Sequence, residues 1–102
     1  MRITFNNPIL EQLHFGKYTG KPIYPAPVVS KFRRKILLLS KTETMRELSR
    51  IKGLNLEALK GDRAGSFSIR VDLKYRLVFR IEPNDVVIAE EIIIDELGNH
   101  YK

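Results

Sequence analysis

The chain has 102 residues, of which 43% are hydrophobic and 29% charged, and it contains no cysteine. That suits one folded domain rather than two cores, is neither disordered nor membrane-like in composition, and excludes disulfides and thiolate metal sites. Eighteen Lys and Arg against twelve Asp and Glu give a net charge of +6, which draws a small domain toward polyanions, nucleic acid first. A basic surface with no such partner, or one that needs an acidic protein, carries the same signal.

In chain order, Arg2 to Phe5 reads as a strand. No apolar stretch of signal-peptide type follows Met1, and the longest apolar runs, Ile36 to Leu39 and Ile92 to Ile94, are too short to span a bilayer. A cytoplasmic chain with no membrane partner is the expectation. Asn7-Pro8 predicts a helix start, Asn7 as N-cap and Pro8 in the first turn. Ile9, Leu10 and Leu13 form its apolar stripe and Gly16 ends it. Gly20, Pro22, Pro25 and Pro27 mark residues 17–27 as a loop. From Val28 the period is helical. Val29, Phe32, Ile36 and Leu39 share one face, and Lys31, Arg33, Arg34 and Lys35 cover much of the rest. Thr44-Met45-Arg46-Glu47 has the form of a capping box. Met45, Leu48 and Ile51 point inward, and Gly53 is the expected stop.

The second half changes to a period of two. Phe67, Ile69 and Val71 alternate with Ser66, Ser68 and Arg70. Tyr75, Leu77, Phe79 and Ile81 alternate with Arg76, Val78, Arg80 and Glu82. Pro83-Asn84-Asp85 reads as a turn, and Val86 to Ile94 as an inner strand, apolar on both faces. The expected fold class is α+β. A single domain over 1–102 packs an N-terminal strand and helices on one face of a C-terminal antiparallel β-sheet, without repeat or linker.

The link between the strands at 66–71 and 75–82 follows from side-chain period. A two-residue loop would set Phe67, Ile69 and Val71 beside Arg76, Val78 and Arg80 and ruin both faces. A three-residue loop, Asp72-Leu73-Lys74, sets Val71 against Tyr75, Ile69 against Leu77 and Phe67 against Phe79. It also puts Arg70 directly opposite Arg76 on the other face, with Arg80 further along the row. Like charges opposed across strands repel by up to ~1 kcal/mol. An anion held between the guanidiniums would offset that, and arginine suits phosphate. The alternative is that Asp72, Glu82 and solvent satisfy these arginines.

Lys60-Gly61-Asp62-Arg63-Ala64-Gly65 could bring backbone amides and Lys60 to a phosphate, but it lacks P-loop spacing and reads equally as an ordinary turn. His100 follows the last strand closely enough to reach the arginine face as an acid/base group, or it is a solvated tail residue. His14 reads as structural or exposed. Glu57, Glu90, Glu91, Asp95 and Glu96 are candidate acids. No spaced ligand set occurs, so neither a metal nor another cofactor is expected. A ribonuclease built this way would use the RNA 2′-hydroxyl as nucleophile, general acid/base groups, and cations against the charge of the transition state.

Two stretches carry a family resemblance. Leu59 to Val71 (LKGDRAGSFSIRV) with Tyr75-Arg76-Leu77-Val78-Phe79-Arg80 resembles the Leu-Lys-Gly and following strands of HigB toxins, in the RelE/ParE superfamily. Gly98-Asn99-His100-Tyr101 is similar to their C-terminal histidine motif. The resemblance covers about residues 54 to 102. It implies the toxin of a type II toxin–antitoxin system, a ribosome-dependent mRNA endoribonuclease. Its implied partners are mRNA, the ribosome and a HigA-like helix-turn-helix antitoxin. By position, Lys60, Arg70 and Arg76 match cations that hold the scissile phosphate, and His100 an acid/base histidine. Arg63, Ser68, Arg80, Tyr101 and Lys102 are the candidate RNA contacts, Tyr101 by stacking. One departure matters. The family's His-Pro before Leu-Lys-Gly is Glu57-Ala58 here, which makes Glu57 a candidate carboxylate base. Two other readings stay open on the same scaffold, a ParE-like inhibitor of DNA gyrase and a non-catalytic RNA-binding module.

Overall fold

A computed structural model describes residues 1–84 and 89–99. Strand β1 (Arg2–Phe5) is followed by helices α1 (Pro8–His14), α2 (Ala26–Lys41) and α3 (Met45–Ser49). Then come β2 (Glu57–Ala58), a 3-10 turn (Gly61–Arg63), β3 (Ser66–Arg70), β4 (Arg76–Asn84) and β5 (Ala89–Gly98). The five strands form one sheet in the order β1-β5-β4-β3-β2.

The expected class holds, with one refinement. The sheet is mixed, because β1 does not stand apart with the helices but pairs with β5 in parallel, Ile3 opposite Ile92 and Phe5 opposite Ile94. This makes β5 an inner strand, as its apolar composition requires. The short strand β2 was not read from the sequence. It has only two residues, both exposed, so it carries no burial pattern to recognise.

The helices form where their caps predict. Asn7 accepts at its side-chain oxygen from the amides of Ile9 and Leu10 at 3.1 and 3.2 Å. Thr44 Oγ1 accepts from the amide of Glu47 at 3.2 Å. Several boundaries differ from expectation, and β5 runs on to Gly98, past the expected end at Ile94. Helix α2 begins at Ala26, inside the expected loop, since Pro27 lies in the first turn where its missing N–H is not needed. Its buried stripe is therefore Val28, Phe32, Ile36 and Leu39, and Val29 is only half-buried. Helix α3 ends at Ser49, ahead of the expected stop at Gly53 (φ +85°). Pro83 and Asn84, expected in a turn, continue β4, opposite Glu90 and Ala89. Strand β3 pairs only as far as Arg80, so Pro83 falls beyond its reach, where β4 has a free edge that tolerates a missing donor. Asp85 lies outside the described residues.

One hydrophobic core fills the space between helices and sheet. Leu10, Phe32, Leu39, Leu48, Ile69, Leu77, Phe79, Ile92 and Ile94 are each 0% exposed, and Ile36 is 2% exposed. Every β3 and β4 residue in it belongs to the row that the three-residue loop sends inward. The opposite sheet face carries the polar and charged groups, with buried Val78 among them, and it holds the site.

Candidate functional site

The register of β3 and β4 is the one the packing argument selects: Phe67 opposite Phe79, Ile69 opposite Leu77, and Arg70 opposite Arg76. The turn between them is closed by Asp72. Its Oδ1 accepts from the amides of Lys74 and Tyr75 at 2.8 and 2.7 Å. Burial pushes the Asp72 carboxyl up, but these two amides and the charges of Lys31 and Lys74 outweigh it and hold it below the ordinary range. Asp72 is thus spent on the turn and is not the partner of an arginine.

Arg70 and Arg76 sit on the outer face, against neutral groups. Arg76 Nε donates to Ser68 Oγ at 2.9 Å, and its Nη2 donates to the main-chain oxygens of Ser68 (3.3 Å) and Asn55. The side-chain amide of Asn55 lies against the face of the Arg70 guanidinium, 2.9 to 3.2 Å from its three nitrogens. Among the described residues neither arginine has a carboxylate partner. Ser68 itself is fully buried. It works as the seat of Arg76, which the sequence reading, treating it as an RNA contact, did not foresee.

Glu57 lies opposite Ser68 across the β2–β3 pair, so it shares the outer face with the arginine row, one strand away from it. It is exposed. Lys60 is exposed at the end of β2, where it opens the 3-10 turn. Beside the row, Arg70, Lys31 and Lys74 line a groove of about 510 Å³ whose other walls include Pro25, Pro27 and Tyr75. Cations from α2, β3 and the turn after it therefore line the groove at the row's edge, together with Asp72. His100, Tyr101 and Lys102 lie outside the described residues.

Further along the same face the pattern reverses. Arg80 Nε and Nη2 donate to both oxygens of Asp95 at 2.7 and 3.0 Å, and Nη1 donates to Glu82 at 2.6 Å. Arg63 pairs with Glu96. These two acids are neighbours in sequence, and in a regular strand they would point to opposite faces. A β-bulge makes the difference. Phe79 is opposite Ile94 but Val78 is opposite Glu96, which leaves Asp95 as the extra residue. The inward residues accordingly run Ile92, Ile94, Leu97, and that break in alternation is the signal by which a sequence reading could have found the bulge. Burial raises the Asp95 carboxyl, but the hydrogen bonds of Arg80 and Asn6 and the charges of Arg80 and Arg63 outweigh it, so its pKa lies below the usual value. Arg80 is correspondingly raised, first by its hydrogen bond to Asp95. Its charge is matched within the fold, as the sequence alternative allowed for Glu82.

His14 lies far from this face in kind. It packs among Phe5, Phe15 and Phe32, and burial, then the charge of Arg33, lowers its pKa. The structural reading of His14 fits that setting.

The comparisons with known proteins agree on one group. Residues 3–95 match the model of the HigB-like toxins, described as RelE-like toxins of the type II toxin–antitoxin system HigB. The chain belongs to the HigB-like toxin family. No curated protein sequence matches this HigB-like toxin. Solved structures resemble it over nearly its whole length. A YoeB/ParE toxin from Agrobacterium tumefaciens has a TM-score of 0.63 at 22% identity, covering 99% of this chain and 100% of that one. YafQ from E. coli has a TM-score of 0.60 at 13% identity, covering 98% and 94%. The toxin in a heterotetrameric YoeB-YefM toxin–antitoxin complex from Staphylococcus aureus has 0.59 at 21%, covering 99% and 98%. At these identities the structures establish a shared fold, and the family match establishes the toxin.

Proposed function

We propose that this HigB-like toxin cleaves mRNA on the ribosome without a metal ion, using the Arg70/Arg76 row as its phosphate site. The observation that carries the reading is that, among the described residues, the two opposed arginines lie against neutral groups and pair with no carboxylate. Arg76 is seated on Ser68 and Asn55. Such a preorganised pair suits a phosphodiester whose negative charge grows in the transition state.

The chemistry follows from RNA itself. The 2′-oxygen attacks phosphorus, and the bond from phosphorus to the 5′-oxygen breaks. The products are a 2′,3′-cyclic phosphate and a 5′-hydroxyl. A base takes the 2′-hydroxyl proton and an acid protonates the leaving oxygen. Arg70 and Arg76 bind the non-bridging oxygens, and Lys60 adds a third cation from the turn after β2. Glu57, on the same face, takes the place of the family histidine as base, and His100 is the acid. Tyr101 and Lys102 serve as outer RNA contacts. The partner that silences the toxin is an antitoxin of the HigA type, and the compartment is the cytoplasm. A cationic row is what a metal-free mechanism needs in a metal's stead.

Expression of the wild-type chain should arrest growth and leave messages cut within translated codons. Arg70→Ala/Arg76→Ala should remain folded, since both side chains lie off the core, and should lose both effects. A folded double variant that still cuts mRNA would remove the site assignment. Broken DNA with intact messages would mean a gyrase target instead.

A further inference from the structure

The tip of the β3–β4 hairpin carries the barest large hydrophobic side chain among the described residues. Leu73 is 92% exposed, where Ile9, Phe15, Ile23 and Leu37 are 40–60% exposed. A turn ordinarily takes glycine, asparagine, aspartate or serine at such a place, and a bare leucine there adds nothing to the core. The turn is nonetheless built to hold it. Asp72 Oδ1 accepts from the amides of Lys74 and Tyr75 at 2.8 and 2.7 Å, and the Tyr75 carbonyl accepts from those of Val71 and Asp72 at 2.9 and 3.3 Å. The last cross-strand pair before the tip is Arg70 with Arg76, so the leucine stands at the end of the arginine row. It also lines the groove there, whose cations are Arg70, Lys31 and Lys74 and whose flat or apolar walls include Pro25, Pro27 and Tyr75.

We propose that Leu73 is a wedge that parts the two bases flanking the scissile phosphate and turns one of them into this groove. This rests on reading the arginine row as the phosphate site of an RNA-cutting toxin. Attack by the 2′-oxygen needs the departing 5′-oxygen opposite it across phosphorus. A stacked strand holds the 2′-oxygen to the side of that line, and bringing it round swings one base off its neighbour. Cations do not achieve this, because they grip the backbone and leave the stack alone. An apolar side chain does, because it covers base faces that unstacking bares to water. Such a wedge has to be stiffly mounted, or the strand would push it aside, and it has to stand next to the gripped phosphate. Leu73 meets both conditions. The groove then receives the displaced base against prolines and a tyrosine ring, while Lys31 and Lys74 meet the neighbouring backbone. Asp72 lines the groove as well, with Oδ1 engaged by the turn amides. A protein partner would also cover a bare leucine, but the cations around this one select a polyanion.

The test uses ribosomes programmed with a short mRNA, in which the linkage cut by wild type is mapped first. Leu73→Ala should keep the urea midpoint of wild type, since the side chain lies outside the core. It should bind the programmed ribosome as tightly and cut about tenfold or more slowly, because the stacked step then opens without help. Leu73→Met, also long and apolar, should restore most of the rate. The deciding substrates carry an abasic residue on one side of the mapped linkage or the other. On one of them no base is left to displace, and wild type and Leu73→Ala should cut it at the same rate. A gap that persists on both would overturn the proposal, and so would full-rate cleavage of the ordinary mRNA by Leu73→Ala. Full-rate cleavage together with lost antitoxin binding would assign the tip to the protein partner instead.

A second arm needs no cleavage. 2-Aminopurine, whose fluorescence rises when it leaves a base stack, replaces bases of the codon in the decoding site, one at a time, in an mRNA blocked by 2′-O-methyl groups. Wild type should raise the signal at one position and Leu73→Ala should not. If wild type raises it and yet never cuts unblocked mRNA, the function is wrong and the wedge stands. If wild type cuts and Leu73→Ala raises the signal equally, the wedge is wrong and the function stands.

Discussion

Two ends of one sheet face treat arginine in opposite ways. At the β3–β4 turn, Arg70 and Arg76 rest on an amide, a hydroxyl and main-chain oxygens. At the β5 side, Arg80 and Arg63 rest on carboxylates. All four are anchored, so anchoring alone does not tell a site from a scaffold. The anchor's charge does. An arginine on a neutral acceptor remains available to a phosphate, while one on a carboxylate has its partner already. The candidate RNA contact Arg80 therefore belongs with the structural arginines, although it lies in the same row as the other two.

The sharpest test of that division sets Arg76→Ala against Arg80→Ala. Arg76→Ala should lower mRNA cleavage by ~100-fold or more, the usual cost of removing a transition-state donor, with little change in urea unfolding. Arg80→Ala should do the reverse. It leaves Asp95 in a half-buried setting without its bidentate partner and should cost about 1–2 kcal/mol of stability, between the values for surface and buried pairs, with cleavage near wild type. If Arg80→Ala abolished cleavage in a protein of unchanged stability, the division would be broken.

A smaller effect sharpens the scaffold side. Asp95 has a depressed pKa in the fold, so the unfolded chain binds its proton more readily. The stabilisation is present in full above the unfolded value of about 3.9 and is lost as pH falls through the folded value. Asp95→Asn should therefore flatten the acid limb of a stability-against-pH curve below that point and leave the neutral region's slope alone. An identical acid limb in the variant would show that the Arg80 pair contributes nothing to folding.

Side-chain period carried the legible part of this molecule. It gave the inward row, the three-residue turn and the Arg70/Arg76 opposition, because a slip of one residue would have buried charge. Caps placed α1 and α3 for the same kind of local reason, since Asn7 and Thr44 act on amides two and three residues away. What escaped was whatever depends on a partner distant in sequence. The parallel pairing of β1 to β5 joins the two ends of the chain. The bulge at Asp95 answers to Arg80 and Arg63. Asn55 is an ordinary turn asparagine until β3 and β4 bring two guanidiniums to it. Residue type separated none of the four arginines from the others; their neighbours across the sheet did.

The strand order has a consequence for how such a protein is made. Strand β1 finds its hydrogen-bonding neighbour only in β5, so the sheet lacks an inner strand until residues 89–98 have emerged. A nascent chain stalled before β5, wanting that inner strand, should be a target for proteolysis rather than an active poison.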